Sequence, residues 1–181
     1  MSQVYLVRTN QKLNFARIHI DALQAAQSSN SWDQHAMIES YHESVLFLMA
    51  SAYQAFLREI AEKYRFNPDA IEALSDLQGL LDASVQESPE VTELSVLESN
   101  KHSWLALMLS AYRGCWKAAD KTGPSAKAKA GADLSPSLSE IHIVQINPDH
   151  AEDADILTEY RSWLSEFRAL LERLRSGMQE W

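Results

Sequence analysis

The chain has 181 residues, 46% of them hydrophobic, with only 5 Gly and 5 Pro and a formal net charge of −9. One hydrophobic core serves a chain of this length, so a single domain over residues 1–181 is expected, and the scarcity of backbone breakers predicts long helices. The acidic balance repels nucleic-acid phosphate and excludes non-specific binding to DNA or RNA.

Leu13, Ala16, Ile20, Leu23 and Ala26 recur at helical spacing and predict a first helix over about residues 9–27, ended by Ser28 to Ser31. Asp33 stands where a cap is wanted. A long second helix to about residue 64 follows, with Ile38, Tyr41, Val45, Met49, Ala52, Phe56 and Ile60 as its stripe. Phe47, on the opposite side, implies burial all round midway along it. Asn67-Pro68-Asp69 breaks the chain and starts a third helix over about residues 70–85. Ser88-Pro89-Glu90 restarts it again. Val91, Leu94, Leu97, Trp104, Leu105, Met108, Ala111, Tyr112 and Cys115 then carry a fourth helix to about residue 119, with a bend or break near Ser99-Asn100.

Residues at about 120–148 are small, polar and punctuated by Pro and Gly, which reads as a flexible loop. Inside that loop Ile141 to Ile146 has the β-branched content of a short extended strip, with no second candidate strand to pair with. The last helix spans about residues 150–175, with Ile156, Tyr160, Trp163, Leu164, Phe167, Leu170, Leu171 and Leu174 on one face and Gly177 as its stop. The expected fold is all-α: an antiparallel four-helix bundle plus a C-terminal fifth helix, with the long loop and its extended strip between helices four and five.

A single cysteine, Cys115, rules out an intramolecular disulfide framework and fits a reducing, cytoplasmic setting. Met1 to Leu13 lacks the basic flank and long apolar run of a secretory signal. The most apolar run, Val45 to Ala50, falls far short of the roughly 20 apolar residues a bilayer span needs, so no membrane partner is expected.

Met37 to Tyr53 and Val96 to Tyr112 share nine identical positions in seventeen without a gap, among them Glu39-Ser40 with Glu98-Ser99. Duplication of a helical hairpin is one reading. Two core helices filled with the same good helix formers is the plainer one.

The sharpest chemical constellation is Glu39 with His42, a carboxylate and an imidazole one turn apart on the same helix side. Carboxylate-bridged di-iron bundles use two such Glu-x-x-His motifs. Here helix four offers only Glu98 and His102, at a spacing of four, and the repeat-aligned counterpart of His42 is Lys101. The bland reading is a half-buried His at the edge of an apolar stripe beside a surface Glu. Nuclease members of HEPN-type bundles carry an Arg followed some four to six residues later by His, and none of the chain's arginines, Arg58, Arg65 and Arg113 included, has a His at that distance. Cys115 has no flanking base and reads as a small core residue. No nucleophile elbow, phosphate-cradling glycine loop, C-x-x-C pair or H-E-x-x-H is present, and no cofactor is expected.

Lys117, Lys121, Lys127 and Lys129 form the one basic stretch and read as a solvated loop. Ile141, Ile143 and Ile146 could add to a partner's sheet edge, and Trp181 could dock on a neighbour. Of the five tryptophans, most are expected in the core or in helix contacts. The function expected from these features is a non-catalytic helical protein acting through protein–protein contacts, with an unidentified protein or a second copy as partner. The alternative is a metal- or small-ligand-binding bundle enzyme centred on Glu39 and His42.

The opening Arg8-Thr9-Asn10-Gln11-Lys12-Leu13, then Phe15-Ala16-Arg17, resembles the start of a small all-helical family of unknown function from gammaproteobacteria. Phe56-Leu57-Arg58-Glu59-Ile60-Ala61, late in the second helix, is similar to that family as well. The resemblance implies a bacterial cytoplasmic origin and carries no activity with it.

Overall fold

The computed structural model describes residues 3–117 and 155–179. Within them run α1 (Val4–Gln27), α2 (Gln34–Lys63), a 3-10 turn (Pro68–Ala70), α3 (Leu74–Ser84), α4 (Pro89–Ser99), α5 (Trp104–Gly114) and α6 (Asp155–Gln179). No strand occurs among the described residues, so the fold is all-α with bundle-like packing. The loop expected at about 120–148, with its extended strip, lies outside the described residues.

The chain directions follow from which side chains meet. Gln34 at the start of α2 donates through Nε2 to the carbonyls of Ala26 and Gln27 at the end of α1, so the two form an antiparallel hairpin. Tyr53 of α2 and Tyr64, the residue just after that helix, reach Glu98 and Glu90 of α4, which places α4 antiparallel to α2. His42, Tyr53 and Glu59 of α2 meet Tyr160, Phe167 and Arg175 of α6, so α6 runs parallel to α2. With α5 continuing the direction of α4, four rods result: α1, α2, α4 with α5, and α6. The short α3 lies beside them. The C-terminal helix therefore takes a full place in the bundle, and the third helix is the added piece. The physical reason is content: α6 buries Tyr160, Phe167, Leu170 and Leu171, whereas α3 has only Leu74, Leu77 and Leu81 to bury.

The expected fourth helix is two. Asn100 leaves the helix in an extended conformation (φ −81°, ψ 103°), and its Oδ1 accepts the His102 N–H. Ser103 then caps α5, its Oγ accepting the Ala106 N–H at 3.1 Å. Asn and Ser compete with the helix by offering its backbone local hydrogen bonds, which is why the rod breaks here. In the aligned stretch of α2 the counterparts of Asn100, His102 and Ser103 are Tyr41, Glu43 and Ser44, and with Tyr in place of Asn that helix runs on unbroken. The likeness of residues 37–53 to 96–112 thus does not extend to a shared local structure.

Other expectations move by small steps. The first helix starts at Val4 rather than near Thr9, and the last runs through Gly177, which a helix interior tolerates at about 1 kcal/mol. Asp33 is the N-cap of α2 but makes no capping hydrogen bond; its Oδ1 takes the Ser31 hydroxyl instead. Phe47 is exposed on the flank of α2 rather than buried, with the Lys12 ammonium 5.5 Å from its ring centroid. Trp32 and Trp116 are exposed too, whereas Trp163 is buried.

Two helix ends carry strain that sequence periodicity does not reveal. At the end of α2, Phe66 N–H donates to Ala61 O and Arg65 N–H to Glu62 O, with Arg65 in the left-handed region at φ 62°. At the end of α3, Gln86 N–H donates to Leu81 O and Val85 N–H to Asp82 O, with Val85 at φ 54°. Both are Schellman closures, in which glycine is the usual left-handed residue. A β-branched side chain there crowds the carbonyl that follows and costs roughly 1–2 kcal/mol. Val85 is 92% exposed, so its side chain gains little in return. Val85→Gly is therefore expected to stabilise the chain by about 1 kcal/mol once glycine's larger unfolded-state freedom is subtracted. Urea unfolding measures this, and a lower midpoint in the variant would show that Val85 makes a contact that outweighs its strain.

Candidate functional site

The four residues singled out in the sequence fall into three places. Glu39 and His42 both face inward from α2, and Glu39 is buried rather than at the surface. The His42 ring meets Tyr160 of α6: the Tyr160 hydroxyl hydrogen-bonds Nδ1, and the two rings lie edge to face at 5.2 Å. Burial raises the Tyr160 phenol well above its ordinary range, and the nearby Cys115, Glu159 and Glu39 push it further the same way. Tyr160 thus stays protonated, and the His42 tautomer sets which of the two donates. A cavity of about 320 Å³ opens beside the pair, walled by Leu46, Leu107, Ala111, Ile156 and Trp163.

Glu98 is elsewhere. Its Oε1 accepts the Tyr53 hydroxyl at 2.6 Å, and burial together with the adjacent carboxylate raises that phenol too. Tyr53 stands about 16 Å of helix rise beyond His42 on α2, so Glu98 and His42 serve different levels of the bundle. His102 is exposed in the turn between α4 and α5. Among the described residues no group of three or more His, Cys, Asp or Glu stands close enough to hold a metal ion. Cys115 is half-buried; desolvation raises its thiol, and Glu43 adds to the rise, which keeps it a poor nucleophile. Ile141, Ile143, Ile146 and Trp181 lie outside the described residues, as do Lys121, Lys127 and Lys129.

Sequence reasoning missed the most connected polar group. Glu59 of α2 and Arg175 of α6 are paired twice, Nε to Oε1 at 2.7 Å and Nη2 to Oε2 at 2.8 Å, with Thr9 Oγ1 of α1 3.3 Å from the second oxygen. Arg175 Nη1 also donates to Asn10 Oδ1 at 2.9 Å. Three helices are tied at one point. Glu59 sits between Phe56 and Ile60, so in the sequence it reads as an interruption of the stripe. A lone carboxylate on an apolar helix face was the available signal.

It missed the outer face of α1 as well. Thr9, Leu13, Ala16, Ile20 and Leu23 form its buried side. On the opposite side Val4, Val7, Gln11, Phe15 and Ile18 fall within about 40° of a single line along the helix. The four apolar members are 64%, 59%, 38% and 47% exposed. Arg8 and Lys12 border this stripe on one side, and burial beside the Arg8 guanidinium lowers the Lys12 ammonium. On the other side Arg17 is paired with Asp21 at 3.1 Å. An apolar face opposite another apolar face is what a helix shows when it has two sides to cover.

The whole chain, residues 1–181, matches a family of unknown function, DUF6586. The chain belongs to that family. No curated protein and no solved structure matches it. Membership of DUF6586 agrees with the resemblance drawn from residues 8–17 and 56–61 in that both are families of unknown function, and it brings no activity to the site. None of the described helices is long and apolar enough to cross a membrane. In this DUF6586 chain the buried polar pairs hold α2 to its neighbours, and the α1 stripe stays exposed among the described residues.

Proposed function

We propose that this chain is a non-catalytic helical protein that acts through protein–protein contacts, made by the outer face of α1. The observation that carries the reading is the stripe of Val4, Val7, Phe15 and Ile18, exposed directly opposite the buried side of the same helix. Apolar residues exposed singly are ordinary, whereas four of them aligned on one helix face form a patch of the kind contact surfaces use. A cytoplasmic, bacterial setting with no nucleic-acid partner belongs to the same proposal, resting on the single cysteine, the resemblance at residues 8–17 and 56–61, and the net charge of −9.

The rival reading, a metal- or ligand-binding enzyme centred on Glu39 and His42, has less in its favour. His42 is engaged with Tyr160, Glu98 with Tyr53, and His102 is at the surface. What supports it is the cavity beside the His42 ring.

Site-specific photo-cross-linking in the native host tests the contact reading. A photoreactive residue at Phe15 or Ile18 is expected to give a discrete protein adduct that Val7→Asp suppresses, while the same residue at the exposed Ser162 of α6 gives none. Equal labelling from both helices, or no adduct from α1, would count against a contact surface there.

A further inference from the structure

A second cavity, of about 380 Å³, is lined from α1, α2 and the end of α5, and none of the described residues lines both it and the cavity beside His42. Two pairs at helical spacing build it. Glu43 and Phe47 stand one turn apart on α2, and Tyr112 and Trp116 one turn apart where α5 ends. His19 of α1 and Cys115 complete the lining used here. The Tyr112 and Trp116 rings meet nearly at right angles, 87°, with centroids 6.2 Å apart. Phe47 is 49% exposed and Trp116 74%, so two large rings that burial ordinarily claims are left open beside one carboxylate.

We infer that this cavity binds a small quaternary ammonium ion, held by the rings of Phe47, Tyr112 and Trp116 and by the Glu43 carboxylate. The site stands independently of the α1 contact surface. A cation is attracted to the negative face of an aromatic ring, and several rings set at angles around one space form a cage for methylated ammonium groups. Phe47 already draws a cation: the Lys12 ammonium lies 5.5 Å from its ring centroid, and Lys12 is not part of the cavity lining. No ion pair or hydrogen bond between described residues engages Glu43, so its carboxylate is open to a ligand. Its field reaches the cavity, because the Cys115 thiol in the same lining is raised by desolvation and next by the Glu43 charge.

Other ligand classes match this lining less well. An anion would face Glu43 with no Lys or Arg among the described lining residues to hold it. A metal ion needs several donors, and no group of three or more His, Cys, Asp or Glu stands close enough among the described residues. A primary ammonium brings three N–H groups that require acceptors, whereas methyl groups require the ring and hydrocarbon surface that prevails here. A phosphate beside the ammonium, as on a lipid headgroup, would be repelled by Glu43, which favours a free ion. The volume lies within the ~300–1,000 Å³ of small-ligand pockets.

The test uses the full chain, isotope-labelled, at about pH 8, where free imidazole carries no charge, and at constant ionic strength. Choline and its neutral isostere dimethylbutanol, with carbon in place of nitrogen, are titrated while the indole N–H signals are followed by NMR. Trp116→Phe assigns the Trp116 signal by its loss. Choline is expected to shift that signal saturably with a dissociation constant on the order of 1 mM or below, within reach of so few atoms. Dimethylbutanol should bind at least about tenfold more weakly. Glu43→Gln and Phe47→Ala should each weaken choline about threefold or more. Both positions are exposed, so circular dichroism and urea unfolding of the two variants should match the parent.

Equal affinity for choline and dimethylbutanol would reduce the site to an apolar cleft and overturn the ammonium ion. Shifts that stay linear in choline, or that neither variant alters, overturn it as well. Phosphocholine binding more tightly than choline would contradict the part given to Glu43 and overturn the free ion. A trimethyllysine peptide binding at least about tenfold more tightly than choline would transfer the cage to a protein ligand, with the same consequence.

Discussion

Arg175→Ala is expected to cost the fold about 3–5 kcal/mol, the range for removing one partner of a buried ion pair. The Glu59 side chain is only 10% exposed and that of Arg175 18%, so the carboxylate left behind would lose its partner with little water to replace it. Thr9 could offer one hydrogen bond, which replaces a small part of a doubly bonded guanidinium. The pair nonetheless need not be a net source of stability. Taking two charges from water is costly, and apolar pairs of similar volume often do as well. Glu59→Leu with Arg175→Met should therefore recover most of what either single alanine loses. Urea unfolding of the three variants gives the answer: equal losses in the single and double replacements would show that the charges themselves, not the unpaired remainder, hold the three helices.

Phe167→Ala should cost a similar amount, about 3–5 kcal/mol, for a different reason. The ring is fully buried in the middle of α6 and touches Tyr53 of α2 edge to face at 6.3 Å and Trp104 of α5 at 5.5 Å. It is the aromatic centre of three rods. Deleting it removes the transfer free energy of the ring and opens a void that rigid helices on three sides close only in part. Trp104 is half-buried and able to shift, so part of the void can fill. A loss below about 2 kcal/mol in thermal or urea unfolding would show that α5 moves inward, which its short length and the break at Asn100 permit.

The two predictions separate what is legible in the sequence from what is not. The stripe to which Phe167 belongs repeats at helical spacing, and all eight of its named members from Ile156 to Leu174 are buried. Periodicity reports a buried face because burial acts on each residue separately. Glu59 and Arg175 lie 116 positions apart, and nothing local to either one names the other. The same holds for Tyr53 with Glu98, Tyr64 with Glu90, and His42 with Tyr160. Glu39 and His42 were correctly placed on one side of one helix. That they face Tyr160, and that Glu98 faces Tyr53 a different distance along the bundle, depends on how α6 and α4 lie against α2.

By itself the sequence determined the helices, most of their buried faces and the break near Ser99-Asn100, since each of these follows from spacing and from local competition for backbone hydrogen bonds. Tertiary structure alone decided that α6 rather than α3 completes the bundle, which distant side chains pair, and that Arg65 and Val85 close their helices in left-handed conformations. It also decided which apolar face of α1 is left over. Val4, Val7, Phe15 and Ile18 are as hydrophobic in the sequence as Leu13 and Ile20. Only the packing of α2 and α6 against one side of that helix separates the core from the exposed row, because a neighbour can cover one face and leave the opposite one to solvent or to another molecule.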